Sequence, residues 1–290
     1  MRVVSLPDVE PGSGPRRVAI GTFDGVHRGH REVIGGESTV LTFDPHPLSV
    51  IRPEATPRLI STFPVKRDLI EGLGVEELVV IPFDKGFSSQ TAEEFVQDVL
   101  IERLGAEQVS VGENFRFGKG AKGTAELLAG YDEFETRVVP LVETAGETVS
   151  SSHIRGLIAA GEVEQAAEFL GGPFLYEGEV VAGDRRGREL GMPTANIVPD
   201  DAYVVPGHGV YAATVRGHPA AVNVGVRPTF ETGRGLLVEP HLIGFDGDLY
   251  GETLRIAFLQ RLRGEQRFDS VDELVEQMNR DVEDTKRIVG

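Results

Sequence analysis

The hydrophobic pattern of the chain changes at Gly171-Gly172-Pro173, and that change limits the folds open to it. Before it, short apolar runs at residues 17–20, 39–43, 77–82, 108–111 and 137–142 read as strands. Between them lie segments with helical periodicity. One spans 64–73 and is stopped by Gly74; another opens on the capping box Thr91-Ala92-Glu93-Glu94 and carries Phe95, Val96, Val99, Leu100 and Leu104 on one face. Strands that alternate with helices pair in parallel, with the crossovers on the sheet faces, so an α/β doubly wound parallel sheet is expected. After the change, runs near 176–181, 210–215, 220–224, 236–243 and 253–258 are separated by Gly, Pro and Asp turns, the spacing of an antiparallel β-barrel. Ser270-Val271-Asp272-Glu273 is a second capping box. It opens a closing helix whose apolar face (Val271, Leu274, Val275, Met278 and Val282) is expected to dock on the barrel. The 290 residues suffice for two domains, placed at 1–172 and 173–290.

The formal charge of -17, from 46 acidic and 29 basic residues, argues against a nucleic-acid or anionic-membrane binder, because self-repulsion extends to any polyanion. A nucleotide pocket needs only a local basic site. Cysteine is absent, which excludes disulfides, a thiolate nucleophile and a Cys-type zinc site. Neither a leader-like apolar core nor a membrane-spanning run is present, so a cytoplasmic protein is expected.

The densest chemistry follows the first strand. Gly21-Thr22-Phe23-Asp24-Gly25-Val26-His27-Arg28-Gly29-His30 reads as a glycine-rich turn that brings backbone N–H groups near an anion and sets His27 and His30 to donate to charge developing on a phosphate. The plainer alternative is a surface loop with two histidines. Downstream strand ends add Thr42-Phe43-Asp44-Pro45-His46-Pro47 and Gly112-Glu113-Asn114-Phe115-Arg116-Phe117-Gly118, whose amide, guanidinium and rings suit a planar ligand. Ser151 and Ser152 cap a helix in which Arg155 occupies the first turn, where the helix dipole favours an acid; a bound polyphosphate would reconcile it. In the second half, residues 183–196 form a basic, glycine-punctuated loop able to wrap phosphates, and Thr194 and Asn196 offer hard oxygens to Mg²⁺. Glu239 interrupts an apolar strand. It either faces outward or is held as a base or ligand.

The glycine turn resembles the His-x-Gly-His signature of nucleotidyltransferases. Over nearly the whole chain the motifs together resemble the bacterial bifunctional riboflavin kinases/FMN adenylyltransferases. The turn at Gly21, Thr42 to Pro47, Gly112 to Gly118 and Ser151 to Arg155 match the adenylyltransferase module; Gly187 to Asn196, Asn223 to Phe230, Glu239 and Gly247-Asp248-Leu249-Tyr250-Gly251 match the kinase module. The resemblance implies ATP, riboflavin and FMN as small-molecule substrates, with Mg²⁺, and no nucleic-acid or membrane partner; oligomeric state is left open. Glu239, His27, His30 and Arg155 would be catalytic. Gly21, Phe23, Asp24, Gly25, His46, Asn114, Phe115, Arg116, Ser151, Ser152, Gly187, Arg188, Gly191, Asn223 and Arg227 would bind ATP or flavin, and Thr194 and Asn196 would hold the metal. The alternatives are a monofunctional kinase with an impaired first module and a non-catalytic flavin-binding regulator.

The sequence departs from the family at four positions. The segment after His30 is short, leaving the first helix little surface to cover the sheet, and His153 stands where Thr is usual. Met192 replaces a usual Phe. Pro240 beside Glu239 removes a strand donor, which predicts an edge strand or a bulge.

Overall fold

The computed structural model describes residues 1–181, 192–226 and 235–290. Six strands, β1 (Arg2–Ser5), β2 (Arg16–Ile20), β3 (Thr39–Asp44), β4 (Glu77–Pro82), β5 (Ala106–Gly112) and β6 (Glu135–Val139), form one sheet. All its pairings are parallel, in the order β1-β4-β3-β2-β5-β6. The five expected strands are present. The sixth, β1, is a four-residue edge strand whose Val3 is exposed, too short and too open to carry an apolar pattern of its own. Pro140 lies just beyond the end of β6.

Helices cover both faces of the sheet: α1 (Arg28–Ile34), α2 (Pro47–Ile51), α3 (Phe63–Glu71), α4 (the turn Ala92–Glu94 running into the π-type stretch Phe95–Arg103) and α5 (Ala125–Leu128). The strands read apolar on both sides for that reason. Val18, Ile20, Leu41, Val79 and Val109 pack with α4 and α5 on one face, and Ala19, Val40 and Leu78 pack with Val33 and Ile34 of α1 and Ile70 of α3 on the other. From β2 the chain moves through β3 to β4 in one direction, then crosses to β5 and β6 on the other side of β2. The switch point therefore lies between β2 and β5. Loops leaving those two carboxyl ends diverge and open a crevice.

The short α1 is secured by neighbouring strands. Arg137 of β6 donates to the Glu32 and Gly35 carbonyls at 2.6 and 2.8 Å, satisfying orphan acceptors at the helix end, and reaches Glu37 Oε1 at 3.0 Å. Gln108 also donates to Glu37, at 2.8 Å, and Arg17 lies 3.5 Å from its other oxygen. The Ser110 hydroxyl donates to the Val33 carbonyl at 2.8 Å.

After the hairpin β7 (Glu143–Thr144) and β8 (Glu147–Thr148) come helices α6 (Ser151–Ala160) and α7 (Val163–Leu170). The second unit is a closed barrel of β9 (Phe174–Val181), β10 (Asn196–Ile197), β11 (Gly209–Val215), β12 (His218–Val226), β13 (Leu236–Leu242) and β14 (Thr253–Arg263), ordered β10-β13-β12-β11-β14-β9. Its pairings are antiparallel. The two-residue β10 closes the ring by pairing with both β9 and β13 and is too short to show alternation in the sequence.

The barrel has no free edge, so the expectation of an edge strand at Pro240 is corrected. Pro240 is tolerated because β10 pairs with β13 only at Ile197–Val238, and the Pro240 carbonyl accepts the Ala195 N–H at 3.0 Å. The closing helix α8 (Val271–Val289) is capped by Ser270, which accepts the Glu273 N–H at 3.2 Å, and packs on β11, β12 and β14. Its docking face is less apolar than expected. Val271 is exposed, whereas Asp281 is buried against Arg263 at 2.8 Å and the Thr285 hydroxyl donates to the Asp281 carbonyl.

The two compact units are Met1–Pro57 with Phe63–Ser150, and Arg58–Thr62 with Ser151–Gly290. Helices α6 and α7 therefore group with the barrel, where Glu164 accepts the Arg261 N–H at 3.1 Å and α7 packs on β9 and β14. His153 of α6 lies against Phe169 of α7 with ring centroids 4.8 Å apart, which gives the unusual residue a packing role.

Candidate functional sites

In the first unit the turn leaving β2 is built from backbone conformations that side chains disfavour. Phe23, Gly25 and Val26 have φ of +50°, +82° and +42°. For β-branched Val26 such an angle is strained, and the surroundings hold it: Phe23 and Val26 are fully buried. Gly21 is required by space, since a Cβ there would sit 2.9 Å from the Phe23 ring.

The turn ends on His27, the N-cap of α1. Its Nδ1 accepts the His30 N–H at 3.2 Å, so that nitrogen is unprotonated and the ring proton resides on Nε2. The His27 and His30 rings stack with centroids 3.5 Å apart, and Phe23 meets His30 edge-on at 5.3 Å. His46 repeats the arrangement after β3. It caps α2 by accepting the Leu48 N–H at 3.2 Å on Nδ1, again leaving Nε2 to donate.

Asp24 is buried in the same turn. Across the switch point, the loop after β5 presents Asn114 and Arg116 to solvent. Phe115 is partly buried and stacks on Phe117 with centroids 5.5 Å apart. Gly21, Phe23, Asp24, Gly25, His27, His30, His46, Asn114, Phe115 and Arg116 thus stand at the carboxyl ends of β2, β3 and β5. Ser151, Ser152 and Arg155 lie in the opening turns of α6, which belongs to the second unit. A cavity of about 680 Å³ lined by Leu6, Pro7, Phe87, Gln90, Asp98 and Arg103 opens elsewhere in the first unit and includes none of the candidate residues.

Lys66 was not legible as a site residue. It projects from α3 to the ends of β2 and β3, where its amine donates to the Thr22 carbonyl, Thr42 Oγ1 and the Phe43 carbonyl at 3.3, 3.4 and 3.4 Å. Burial pulls its pKa below the ordinary lysine value, against the opposing charges of Asp44 and Asp24. The available signal was a lysine on the same helical stripe as Leu69, Ile70 and Leu73.

In the barrel, register organises the second set. Asn223 of β12 pairs directly with Glu239 of β13 and donates Nδ2 to Glu239 Oε2 at 3.1 Å. Flanking Val222, Val224 and Val238 point into the barrel, so Asn223 and Glu239 share its outer face. Glu239 is nonetheless only 8% exposed, a carboxylate outside the barrel core yet shielded from water. On the other side Ile197 pairs with Val238, so the next antiparallel position brings Asn196 alongside Glu239.

Asn196 is buried, and its Oδ1 has no hydrogen-bond partner among the described residues. An orphaned hard oxygen beside a carboxylate, with Thr194 two residues earlier, is a donor set suited to Mg²⁺. No cluster of three or more His, Cys, Asp or Glu able to hold a metal occurs among the described residues; Mg²⁺ usually keeps several waters and takes ligands from substrate phosphates. Gly187, Arg188, Gly191 and Arg227 fall outside the described residues.

Comparisons with known proteins match two families to successive parts of the chain. The family model described as FAD synthetase matches residues 12–153, and the one described as riboflavin kinase matches 170–289. The bifunctional riboflavin kinase/FMN adenylyltransferase of Listeria monocytogenes is 35% identical, covering 93% of this chain and 91% of the relative. Its counterpart in Escherichia coli strain K12 is 36% identical over 91% and 90%. A crystal structure described as a macrolide-efflux protein from Streptococcus pneumoniae is similar with a TM-score of 0.86 and 33% identity, over 99% of both chains.

Proposed function

The chain belongs to the family of bifunctional riboflavin kinases/FMN adenylyltransferases, and from that membership we propose that it converts riboflavin and ATP to FMN, then FMN and a second ATP to FAD and pyrophosphate. The observation that carries this is the presence, on one chain, of a histidine-bearing turn at the switch point of a parallel sheet and of a shielded carboxylate flanked by two amides on a closed barrel.

In the kinase step Glu239 accepts the proton of the ribityl 5′-hydroxyl as that oxygen attacks the γ-phosphorus of ATP, the bond from that phosphorus to the bridging oxygen breaks, and ADP leaves. Asn223 holds the carboxylate in place by donating to Oε2. Thr194 and Asn196 would hold Mg²⁺, which when bound neutralises charge on the phosphate oxygens. Gly187, Arg188, Gly191 and Arg227 complete the proposed phosphate and flavin contacts.

In the adenylyl step the FMN phosphate is itself the nucleophile and needs no strong base. It attacks the α-phosphorus of ATP, and pyrophosphate leaves. The turn from Gly21 through Phe23, Asp24 and Gly25 cradles the triphosphate, and His27 and His46 donate through Nε2. His30 stabilises charge on the phosphates. Asn114, Phe115 and Arg116 contact a planar ring. The need for ATP in both steps makes a cytoplasmic setting part of the proposal.

A monofunctional kinase is not favoured, because the FAD synthetase match covers residues 12–153 and bifunctional relatives align over nearly the whole chain. No helix among the described residues is long and apolar enough to cross a membrane. The test is product analysis after incubating the protein with riboflavin, ATP and Mg²⁺. FMN should accumulate first and FAD follow; FMN alone would remove the adenylyltransferase, and neither product would remove both activities.

A further inference from the structure

Two candidate nucleotide loops leave adjacent strands, and their relative placement has to be fixed by something. The last register pair of β2 and β3 is Ile20 with Leu41, followed by the Gly21 N–H donating to the Leu41 carbonyl at 3.2 Å. Beyond it the chains part, one into the strained turn through Phe23, Gly25 and Val26, the other toward His46.

At the fork lies the amine of Lys66. It donates to the Thr22 carbonyl at the root of the first loop, and to Thr42 Oγ1 and the Phe43 carbonyl at the root of the second. Thr42 Oγ1 also donates to the Thr22 carbonyl at 3.3 Å, so the two roots share one node. Lys66 shares the buried face of α3 with Val65 and Ile70, and the Phe63 ring lies 5.6 Å from its nitrogen. The charged groups facing it are Asp24 from the turn and Asp44 from the end of β3.

We propose that Lys66 is a positioning residue for adenylyl transfer, its ammonium clamping the Gly21–His27 turn to the end of β3 and so setting where His27 and His46 present their Nε2 donors. This rests on the adenylyltransferase reading of the first unit. Three acceptors require three N–H donors, which lysine has only when protonated. Burying an ammonium is costly and returns little net stability, so an apolar replacement of similar length should fold while losing the clamp. A displacement of about 1 Å at reacting groups is enough to cost on the order of 10²-fold in rate.

The test is Lys66→Met in the full chain, assayed with supplied FMN, ATP and Mg²⁺, and beside it the alkaline pH profile of the parent. The expected result is a ten- to hundred-fold fall in adenylylation kcat, with the kinase rate and thermal midpoint near those of the parent. The parent should lose adenylylation on the alkaline side below the ordinary lysine range, and Lys66→Met should lack that limb. The pH profile of the parent needs no variant and stands even if Lys66→Met does not fold. A variant within twofold of the parent, or a parent with no alkaline limb, overturns the role of Lys66. A parent that makes no FAD overturns the adenylyltransferase reading and this proposal with it.

Discussion

The backbone N–H of His30 donates to Nδ1 of His27 across 3.2 Å while the two imidazoles stack with centroids 3.5 Å apart. One ring thereby caps a seven-residue helix while its Nε2 is kept as a proton donor. The two roles separate by substitution. His27→Asn keeps a capping side chain, so its thermal midpoint should stay near that of the parent; His27→Ala should lose about 1 kcal/mol. Both should lose roughly 10²- to 10³-fold in adenylylation. A parental rate in His27→Asn would leave His27 with the cap alone.

For the barrel, Glu239→Gln should cut the kinase rate by roughly 10²- to 10⁴-fold and leave adenylylation of supplied FMN unchanged. The amide keeps the shape and can still meet Asn223, so a loss reports on proton acceptance. A kinase rate within a few-fold of the parent would assign the shielded position to structure.

Arg137→Met tests what holds α1. The substitution strips two carbonyls at the helix end of their donor and leaves the fully buried Glu37 carboxylate with Arg17 and Gln108 as its side-chain partners among the described residues. A loss of roughly 2–3 kcal/mol is expected, below the figure for an uncompensated buried charge because two partners remain. The check is the denaturation midpoint of the first unit, and an unchanged midpoint would show that the network is not what secures the helix.

The extent of the kinase piece can be measured with two fragments. Residues 173–290 include all the kinase features, but the compact unit also takes in α6 and α7, which bury Val163, Ala166, Phe169 and Leu170. We expect 151–290 to melt higher than 173–290 and to phosphorylate riboflavin. Equal melting temperatures would favour the boundary at 172/173.

What the sequence disclosed follows from which forces act locally. Strands buried on both faces and helices with one apolar stripe carry their fate in their own composition, so the parallel sheet, the barrel and the α4 stripe were legible. The elements that escaped are short: the strands β1, β7, β8 and β10 run two to four residues and exist only because partners lie beside them, and the helices α2 and α5 run five and four. The His27 turn was legible because glycines and histidines crowd ten residues. Lys66 was not: its partners are two carbonyls and a hydroxyl contributed by distant segments, and carbonyls leave no mark on a sequence. Pro240 misled by its local chemistry, since the missing donor is accommodated by the shortness of β10 and not by a free edge.

The most direct test of two separate active sites on one chain is His30→Ala given riboflavin, ATP and Mg²⁺, with FMN and FAD followed in one time course. The expected result is FMN formed at the parental rate and then persisting, with no FAD. FAD formed at the parental rate would remove His30 from the adenylyl site, and a parallel loss of FMN formation would contradict the separation of the two sites.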